Sequence, residues 1–563
     1  MTILGAGEKA IGGLFVAYTV TKFFGIYVAL VILALGLVYQ LFIWYRGITL
    51  WKRLGVPSPP AVIQFGNMLD YIKKGVQNCD VEWMKKYGPV YGSYMFTMPE
   101  LVIADKDLLK RVLVKDFYNF TNRRVSKYIL KLAICICKLY CIRRILMSAT
   151  KKSVFRRMVT VLKDDEWKNT RNAITLAFTS GKLKNTVHLM DKCIKTCCDI
   201  LEEKNECAEE VDVKDLITNL TLDITAAAAF ALDTNSQRNP DNEFMKYSKQ
   251  MAKVKFTDWR LLFTMLFPWI TTKLDEYFGI QLVLPGLEEF YVKNLTRVLH
   301  ERRQCPKVDK PDFLQLLINA ADNNEHNKVS APDDVDPTID HGLAVSKPWK
   351  LTDDDIVAQS FIFLLAGQET TASTLNFVIY LLAVHKEVQE RAFQEIYALT
   401  PSGEQITYSH MQHHTPYLEA IIAETLRLYP AAVRFDRYCQ QDYQLTDQLV
   451  IPKGTAVCVP VYAIQHSADN YESPEEFDPE RFLSDDKKND NPFAYLPFGY
   501  GPRNCIGMRF ANLEMKLILS FFIRTFSIEP SVSTPPWPLE LDPSASALKP
   551  KTPIRLVFKK RLD

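Results

Sequence analysis

The 563-residue sequence lacks the C-x-x-C pairs that build structural zinc sites, and its 12 cysteines show no disulfide framework. It also lacks a charge excess, because 68 basic and 65 acidic side chains give a formal net charge of +3, so nothing indicates a nucleic-acid partner. No G-x-G-x-x-G motif is present, which argues against a dinucleotide site within the chain. Unpaired, reduced cysteines are typical of the cytosolic side of a membrane.

Charge is absent from residues 23–45, a run of 23 residues. A helix of this length spans about 34 Å at ~1.5 Å per residue, enough to cross the hydrocarbon core of a bilayer. Arg46, Lys52 and Arg53 follow it and favour a cytosolic location for the rest of the chain, while Lys9 and Lys22 lie on its other side. We therefore predict a membrane anchor in residues 1–50 and one catalytic domain in residues 51–563. A buried core helix is the alternative for this run.

Residues 498–507 read FGYGPRNCIG and place one cysteine, Cys505, between glycines with Arg503 two residues before it. Glycine permits tight turns, and we expect Gly501 and Gly507 to bring the backbone close to a flat ligand. The following run has helical spacing, so Cys505 precedes a helix N-terminus, where a thiolate is stabilised. A buried free cysteine in a glycine-rich turn is the alternative for Cys505 alone.

A long apolar helix is predicted to begin after Thr352, which has the side chain of an N-cap, with Asp355 in the capping-box position. Further along, Glu369 and Thr370 interrupt the apolar run. A carboxyl group is costly to bury without a role, so the pair is either functional or a polar kink whose hydrogen bonds are satisfied.

The spacing F-x-x-G-x-R-x-C-x-G resembles the haem-ligand loop of the cytochromes P450, in which a cysteine thiolate binds the iron. Four further motifs of that family stand in the expected order: W-x-x-x-R from Trp167, A-G-x-E-T-T from Ala366, E-x-x-R from Glu424 and P-E-R-F from Pro479. The segment FTNRR, residues 120–124, is similar to animal family-3 members, which oxidise drugs and steroids. The resemblance covers about residues 50–560.

The resemblance implies a mainly helical fold with a small β region, on a single N-terminal transmembrane helix. It implies haem b as cofactor, Cys505 as iron ligand, and Glu369 and Thr370 as the catalytic residues that deliver protons during oxygen activation. Glu424, Arg427 and Arg481 would form a structural cluster that braces the cysteine loop. The other residues expected to contact the cofactor are Arg123, Trp167, Arg171, Arg437, Phe498 and Arg503.

The implied reaction inserts one atom of O2 into a lipophilic substrate, a xenobiotic or a steroid, and reduces the other atom to water. Electrons would come from NADPH through NADPH-cytochrome P450 reductase, with cytochrome b5 as a further donor, at the endoplasmic reticulum (microsomal) membrane with the catalytic domain cytosolic. Two alternatives remain open: a thiolate-haem isomerase or dehydratase, and an inactive haem-binding relative.

Residues 125–153 depart from the family pattern and form an apparent insertion. No acidic residue lies between Arg123 and Arg157, and Lys127, Lys131 and Lys138 fall on one face of a predicted amphipathic helix. The segment is interpreted as a tolerated surface insertion or as sequence missing from the mature protein, with contact to a membrane surface as the functional alternative.

Overall fold

The computed structural model describes residues 45–96, 98–124, 154–207, 209–252, 286–304, 312–322, 350–401, 405–483, 491–545 and 547–561, and isolated positions between 22 and 42 and between 258 and 274. The insertion predicted at 125–153 lies outside these residues, as do 11 of the 23 positions of the predicted span at 23–45. Among the residues described, no helix combines the length and apolar character needed to cross a membrane.

The fold is mainly helical, as predicted. In chain order the helices are α1 (Leu50–Arg53), α2 (Met68–Lys74), α3 (Val76–Tyr87), α4 (Lys106–Lys110), α5 (Asp164–Thr175), α6 (Ser180–Glu206), α7 (Val213–Phe230), α8 (Glu243–Ala252), α9 (Leu287–Gln304), α10 (Phe313–Asp322), α11 (Asp353–Val384), α12 (Lys386–Leu399), α13 (Tyr408–His413), α14 (Pro416–Leu428), α15 (Val461–Gln465) and α16 (Met508–Thr525).

The predicted small β region is present and consists of three separate sheets. Its strands are β1 (Val90–Met95), β2 (Met98–Ile103), β3 (Val211–Asp212), β4 (Phe435–Tyr438), β5 (Tyr443–Thr446), β6 (Leu449–Ile451), β7 (Ala456–Val459), β8 (Phe526–Pro530) and β9 (Arg555–Lys560). One sheet has the order β1-β2-β7-β4, in which only β2 and β7 are parallel. The others are β3-β9-β8 and the hairpin β5-β6.

Helix α11 runs through the core and carries buried residues on every face. A helix that is apolar all round is stable only when other elements surround it. Its start is fixed by the predicted capping box: the Asp355 amide donates to the Thr352 hydroxyl at 3.2 Å, and the Thr352 amide donates to the Asp355 carboxylate at 2.9 Å. Helix α7 packs closely on it, since a Cβ at Gly367 would lie 3.2 Å from Thr225.

Candidate active site

The cysteine loop, residues 498–507, leads into the N-terminus of α16. Its turn is closed by the Cys505 amide, which donates to the Phe498 carbonyl at 2.8 Å. Gly499 and Gly501 adopt φ of 72° and 76°, in the left-handed region that favours glycine. A Cβ on Gly501 would stand 2.2 Å from the Leu113 carbonyl oxygen, so the predicted tight turn is present there. Gly507 has an ordinary φ of −87° and is the N-cap of α16.

The Cys505 side chain is accessible to solvent, although the protein around it desolvates its thiol. Burial raises the pKa of Cys505, and a backbone hydrogen bond from Gly507 and the charges of Arg171 and Arg123 oppose that rise. The helix N-terminus predicted a stabilised thiolate, but desolvation outweighs it here. A bound metal ion deprotonates a coordinating thiol, which reverses this balance.

Arg503 holds the loop against two other segments. Its guanidinium donates to the carbonyl oxygens of Thr121 at 2.5 Å and Leu162 at 2.7 Å. It also lies over the ring of Trp167, 4.5 Å from the centroid. Both side chains are buried, so this cation–π contact is formed away from water, where it is strongest. Trp167 therefore contacts the loop through Arg503, a partner that the W-x-x-x-R spacing did not predict.

Three more of the predicted arginines meet the same loop. Arg171 donates to the Asn504 carbonyl at 3.0 Å and to the Asn504 side-chain oxygen at 2.9 Å. Arg123 donates to the Arg503 carbonyl at 3.2 Å, and Arg437 donates to the Tyr500 carbonyl at 3.3 Å. Every predicted cofactor-binding residue thus contacts the loop or lies in it. Asn504 was missed, because an asparagine within a glycine-rich turn resembles an ordinary turn residue.

The central helix α11 presents one partly exposed face within the core. Phe363, Ala366 and Thr370 are each partly exposed and follow a spacing of three and four residues. Residues with that spacing share one side of a helix, so this side borders an open space. The Thr370 hydroxyl donates to the Ala366 carbonyl at 2.7 Å. Phe363 packs against Phe510 of α16, with ring centroids 5.5 Å apart, which places this face near the start of the helix that follows Cys505.

Glu369 occupies a neighbouring side of α11 and meets helix α7. Its carboxylate lies 3.1 Å from the Lys214 ammonium, which also donates to the Ser373 hydroxyl at 3.3 Å. The side chains of Lys214 and Glu369 are 27% and 17% exposed, so the pair stands between the interior and solvent. Lys214 was missed by sequence reasoning. A signal was present, because a lysine in the first turn of a helix opposes the helix dipole.

Glu424 and Arg427 of the predicted cluster are fully buried. Arg427 makes two hydrogen bonds to the Glu424 carboxylate, at 2.7 and 2.8 Å, and three to backbone carbonyls. One of those carbonyls belongs to Gln465, whose side-chain oxygen accepts from the Leu496 amide at 2.9 Å. The second arginine, Arg481, lies 3.4 Å from Glu424, and its side chain is 12% exposed. Through Gln465, which no motif had indicated, the cluster therefore reaches the segment just before the cysteine loop.

Comparison with known proteins agrees with this geometry. The family model described as Cytochrome P450 matches residues 56–135 and 141–558. Cytochrome P450 3A2 of Rattus norvegicus is 35% identical over 523 residues, covering 93% of this chain and 94% of that protein. Cytochrome P450 3A5 of Homo sapiens is 34% identical over 526 residues, which cover 93% of this chain and 95% of that protein. Cytochrome P450 3A6 of Oryctolagus cuniculus is 34% identical over 508 residues, which cover 90% of this chain and 92% of that protein. The chain therefore belongs to the cytochrome P450 family, closest to family 3, and is a monooxygenase with haem b as its cofactor.

Proposed function

We propose that the protein is a haem-thiolate monooxygenase of lipophilic xenobiotics and steroids, with Cys505 as the iron ligand. One observation carries this proposal: Cys505 lies just before α16, on a loop whose carbonyls accept hydrogen bonds from arginines of three other segments, Arg123, Arg171 and Arg437. The Gly507 amide and the charges of Arg171 and Arg123 favour the anionic form of its thiol. Hydrogen bonds and cations beside a ligating thiolate tune the metal behind it.

The residues present fit a flat ligand with two carboxylate groups. Arg171 is buried, and its Nε has no hydrogen-bond partner among the residues described. Burial and the charge of Arg123 lower the pKa of Arg171 to about 10, so an anion beside it is favourable. Carboxylates also suit the paired donors of guanidinium groups. Arg123, Trp167, Arg171, Arg437 and Arg503 would hold the two haem propionates, and Phe498 would contact the cofactor.

Haem bound through a thiolate supplies oxygen activation, because the thiolate donates electron density that favours O–O cleavage. The protein's own contribution is to hold the loop in place and to deliver protons. Arg503 holds the loop, and the Gln465 contact holds Leu496 just before it. Glu424 and Arg427 support that contact, since a buried network with matched donors and acceptors is rigid.

Glu369 and Thr370 are the proposed proton-handling residues. The Thr370 hydroxyl lies on the partly exposed face of α11 and donates to the helix backbone, so it already holds a proton at a fixed position. Glu369 stands next to it at the solvent boundary and provides a carboxylate that exchanges protons with water. Glu369 thus takes up protons and Thr370 positions their transfer.

The electron donor is proposed to be NADPH-cytochrome P450 reductase, with cytochrome b5 as a further donor, at the endoplasmic reticulum membrane with the catalytic domain cytosolic. Membership of the family and the missing dinucleotide motif support an external donor. The uncharged run at 23–45 supports the membrane anchor. The substrate class rests on the similarity to family-3 members.

The test is the absorption spectrum of the reduced, carbon monoxide-bound protein in membranes. A strongly red-shifted Soret band is expected for the full chain, and its loss is expected in Cys505→Ala. A red-shifted band that survives in Cys505→Ala contradicts the assignment. Oxygen insertion into testosterone that requires NADPH then separates a monooxygenase from an isomerase or dehydratase. If the full chain lacks the band, deletion of residues 125–153 shows whether that segment prevents site formation.

A further inference from the structure

A strap of chain, residues 154–162, is hydrogen-bonded to the beginning of the central helix α11. The side-chain oxygen of Gln359 accepts from the Val159 amide at 2.8 Å, and its side-chain nitrogen donates to the Arg157 carbonyl at 2.6 Å. The Arg157 guanidinium in turn donates to the Asp355 carboxylate at 2.9 Å. One buried side chain, Gln359, thus pairs with both a backbone donor and a backbone acceptor of the strap.

Each end of the strap has a further attachment. At its start the Val154 amide donates to the Glu288 carboxylate of α9 at 3.0 Å. At its end the Leu162 carbonyl accepts from Arg503, the arginine of the cysteine loop, at 2.7 Å. The strap therefore runs from α9, past α11, to the cysteine loop, and Gln359 holds it midway.

The residues that hold the strap lie on the same side of α11 as its partly exposed face. Ala366 and Thr370 follow Gln359 by seven and eleven residues, separations that return to one side of a helix. Asp355 precedes Gln359 by four residues and continues the same line. Asp355 and Gln359 are buried, whereas Ala366 and Thr370 are partly exposed. The strap therefore covers the beginning of this side, and the open space beside α11 ends where the strap begins.

We propose that Gln359 is a positioning residue that sets the length of the substrate space, because it holds the strap as the end wall of the space beside α11. This inference rests on the proposed haem site and lipophilic substrates. Loss of the Gln359 carboxamide leaves the buried Val159 amide and the Arg157 carbonyl without these partners, which favours movement of the strap toward water. The space then extends toward Asp355 and takes longer lipophilic molecules.

The first experiment uses n-alkylimidazoles as a ruler in the haem-loaded full chain. Their imidazole nitrogen binds haem iron and shifts the Soret band, and their alkyl chains, from butyl to dodecyl, extend into the space beside it. In the unchanged chain, affinity is expected to rise with alkyl length, because each buried CH2 group is stabilising, and to stop rising at the wall. Gln359→Met keeps the side-chain length and removes both hydrogen bonds. It should extend the rise to longer chains and bind dodecylimidazole about tenfold more tightly than the unchanged chain does.

Gln389→Met is the matched control. Gln389 is a buried glutamine of α12 that also pairs with one backbone amide and one backbone carbonyl, both of Ile528 and both at 2.9 Å. Its substitution should lower stability and leave the alkyl length at which affinity stops rising unchanged. The same extension in Gln389→Met would mean that a general loosening of the fold lengthens the space, and would refute the role of Gln359.

Hydrogen exchange gives a second readout that needs neither a haem ligand nor turnover. The Val159 amide donates to Gln359, so its exchange reports whether the strap is attached to α11. Peptides that cover the strap should exchange roughly tenfold faster in Gln359→Met than in the unchanged chain, because two hydrogen bonds are lost. Exchange of the strap should stay unchanged in Gln389→Met. A strap that exchanges at the same rate with and without the Gln359 carboxamide is not held by it.

Arg157→Gln loosens the strap from the solvent side and serves if Gln359→Met folds poorly. The Arg157 side chain is 45% exposed, so its substitution removes the ion pair with Asp355 at the surface. The control is Arg238→Gln, which removes a 43% exposed arginine that contacts Glu203 at 2.7 Å. A smaller extension than in Gln359→Met is expected in Arg157→Gln, since partly exposed ion pairs are weak. Identical behaviour of Arg157→Gln and Arg238→Gln in both readouts would contradict the inference.

The outcomes separate the inference from the proposed function. If imidazole itself shifts no Soret band in the unchanged chain, the haem site is refuted, and the inference falls with it. If the Soret shift is present and the strap of Gln359→Met exchanges faster, but the limiting alkyl length stays the same, the haem site stands and the strap is refuted as the end wall.

Discussion

Glu514, on helix α16, is an acid with no assigned role and a large expected effect on stability. Its side chain is fully buried, and neither carboxyl oxygen has a hydrogen-bond partner among the residues described. The Thr371 hydroxyl lies close enough to oppose the effect of burial, although the two groups do not form a hydrogen bond of ordinary geometry. Burial raises the pKa of Glu514 well above its usual value. We expect the folded protein to hold the Glu514 proton to a higher pH than the unfolded chain does.

The sign of the pH dependence follows from proton binding. Below the pKa of the unfolded chain, near 4.3 for a glutamate, both states hold the proton and no penalty arises. Above it the unfolded state loses its proton and the folded state keeps it, so stability falls as pH rises, until the raised folded pKa is passed. The free energy of unfolding falls by about 1.4 kcal/mol per pH unit for one proton. Glu514→Gln cannot ionise and removes this dependence.

The assay compares the urea-induced unfolding of the holoprotein with that of Glu514→Gln at two pH values. Relative to the variant, the unchanged protein is expected to lose unfolding free energy as pH rises above about 5.5, by at most about 1.4 kcal/mol per pH unit. Glu301→Gln is the control, because Glu301 is 67% exposed and its substitution should leave the pH dependence unchanged. A difference between protein and variant that stays constant with pH would mean that Glu514 is ionised in the folded state, and would refute the reasoning.

Three other substitutions test the site. Gly501→Ala places a Cβ 2.2 Å from the Leu113 carbonyl oxygen at a residue with positive φ, so the red-shifted carbon monoxide band should disappear. The control Gly181→Ala, whose Cβ would meet nothing within 4 Å, should keep the band. Arg427→Lys replaces a guanidinium that makes five hydrogen bonds by a single ammonium, and should cost about 3–5 kcal/mol in thermal or chemical unfolding; near-normal stability would contradict this. Thr370→Ala should raise peroxide release without loss of the spectrum, and unchanged coupling would exclude its role in proton transfer.

The cysteine loop was predictable because its chemistry is local in sequence. The turn at Gly501, the position of Cys505 before a helix and the capping box at Thr352 all depend on neighbouring residues, and all are present in the structure. The long apolar run was enough to predict that α11 is buried.

By itself, then, the sequence determined the family and the order of the motifs, and it singled out Cys505 as the expected iron ligand. Only the tertiary structure decided how distant groups meet: Arg123, Arg171 and Arg437 reach three carbonyls of one loop from separate segments. It also decided that desolvation raises the pKa of Cys505 despite the nearby helix N-terminus, and that Lys214 faces Glu369. The physical reason is that burial and charge pairing depend on which elements pack together. For residues far apart in the chain, the spacing in the sequence does not show whether their elements pack.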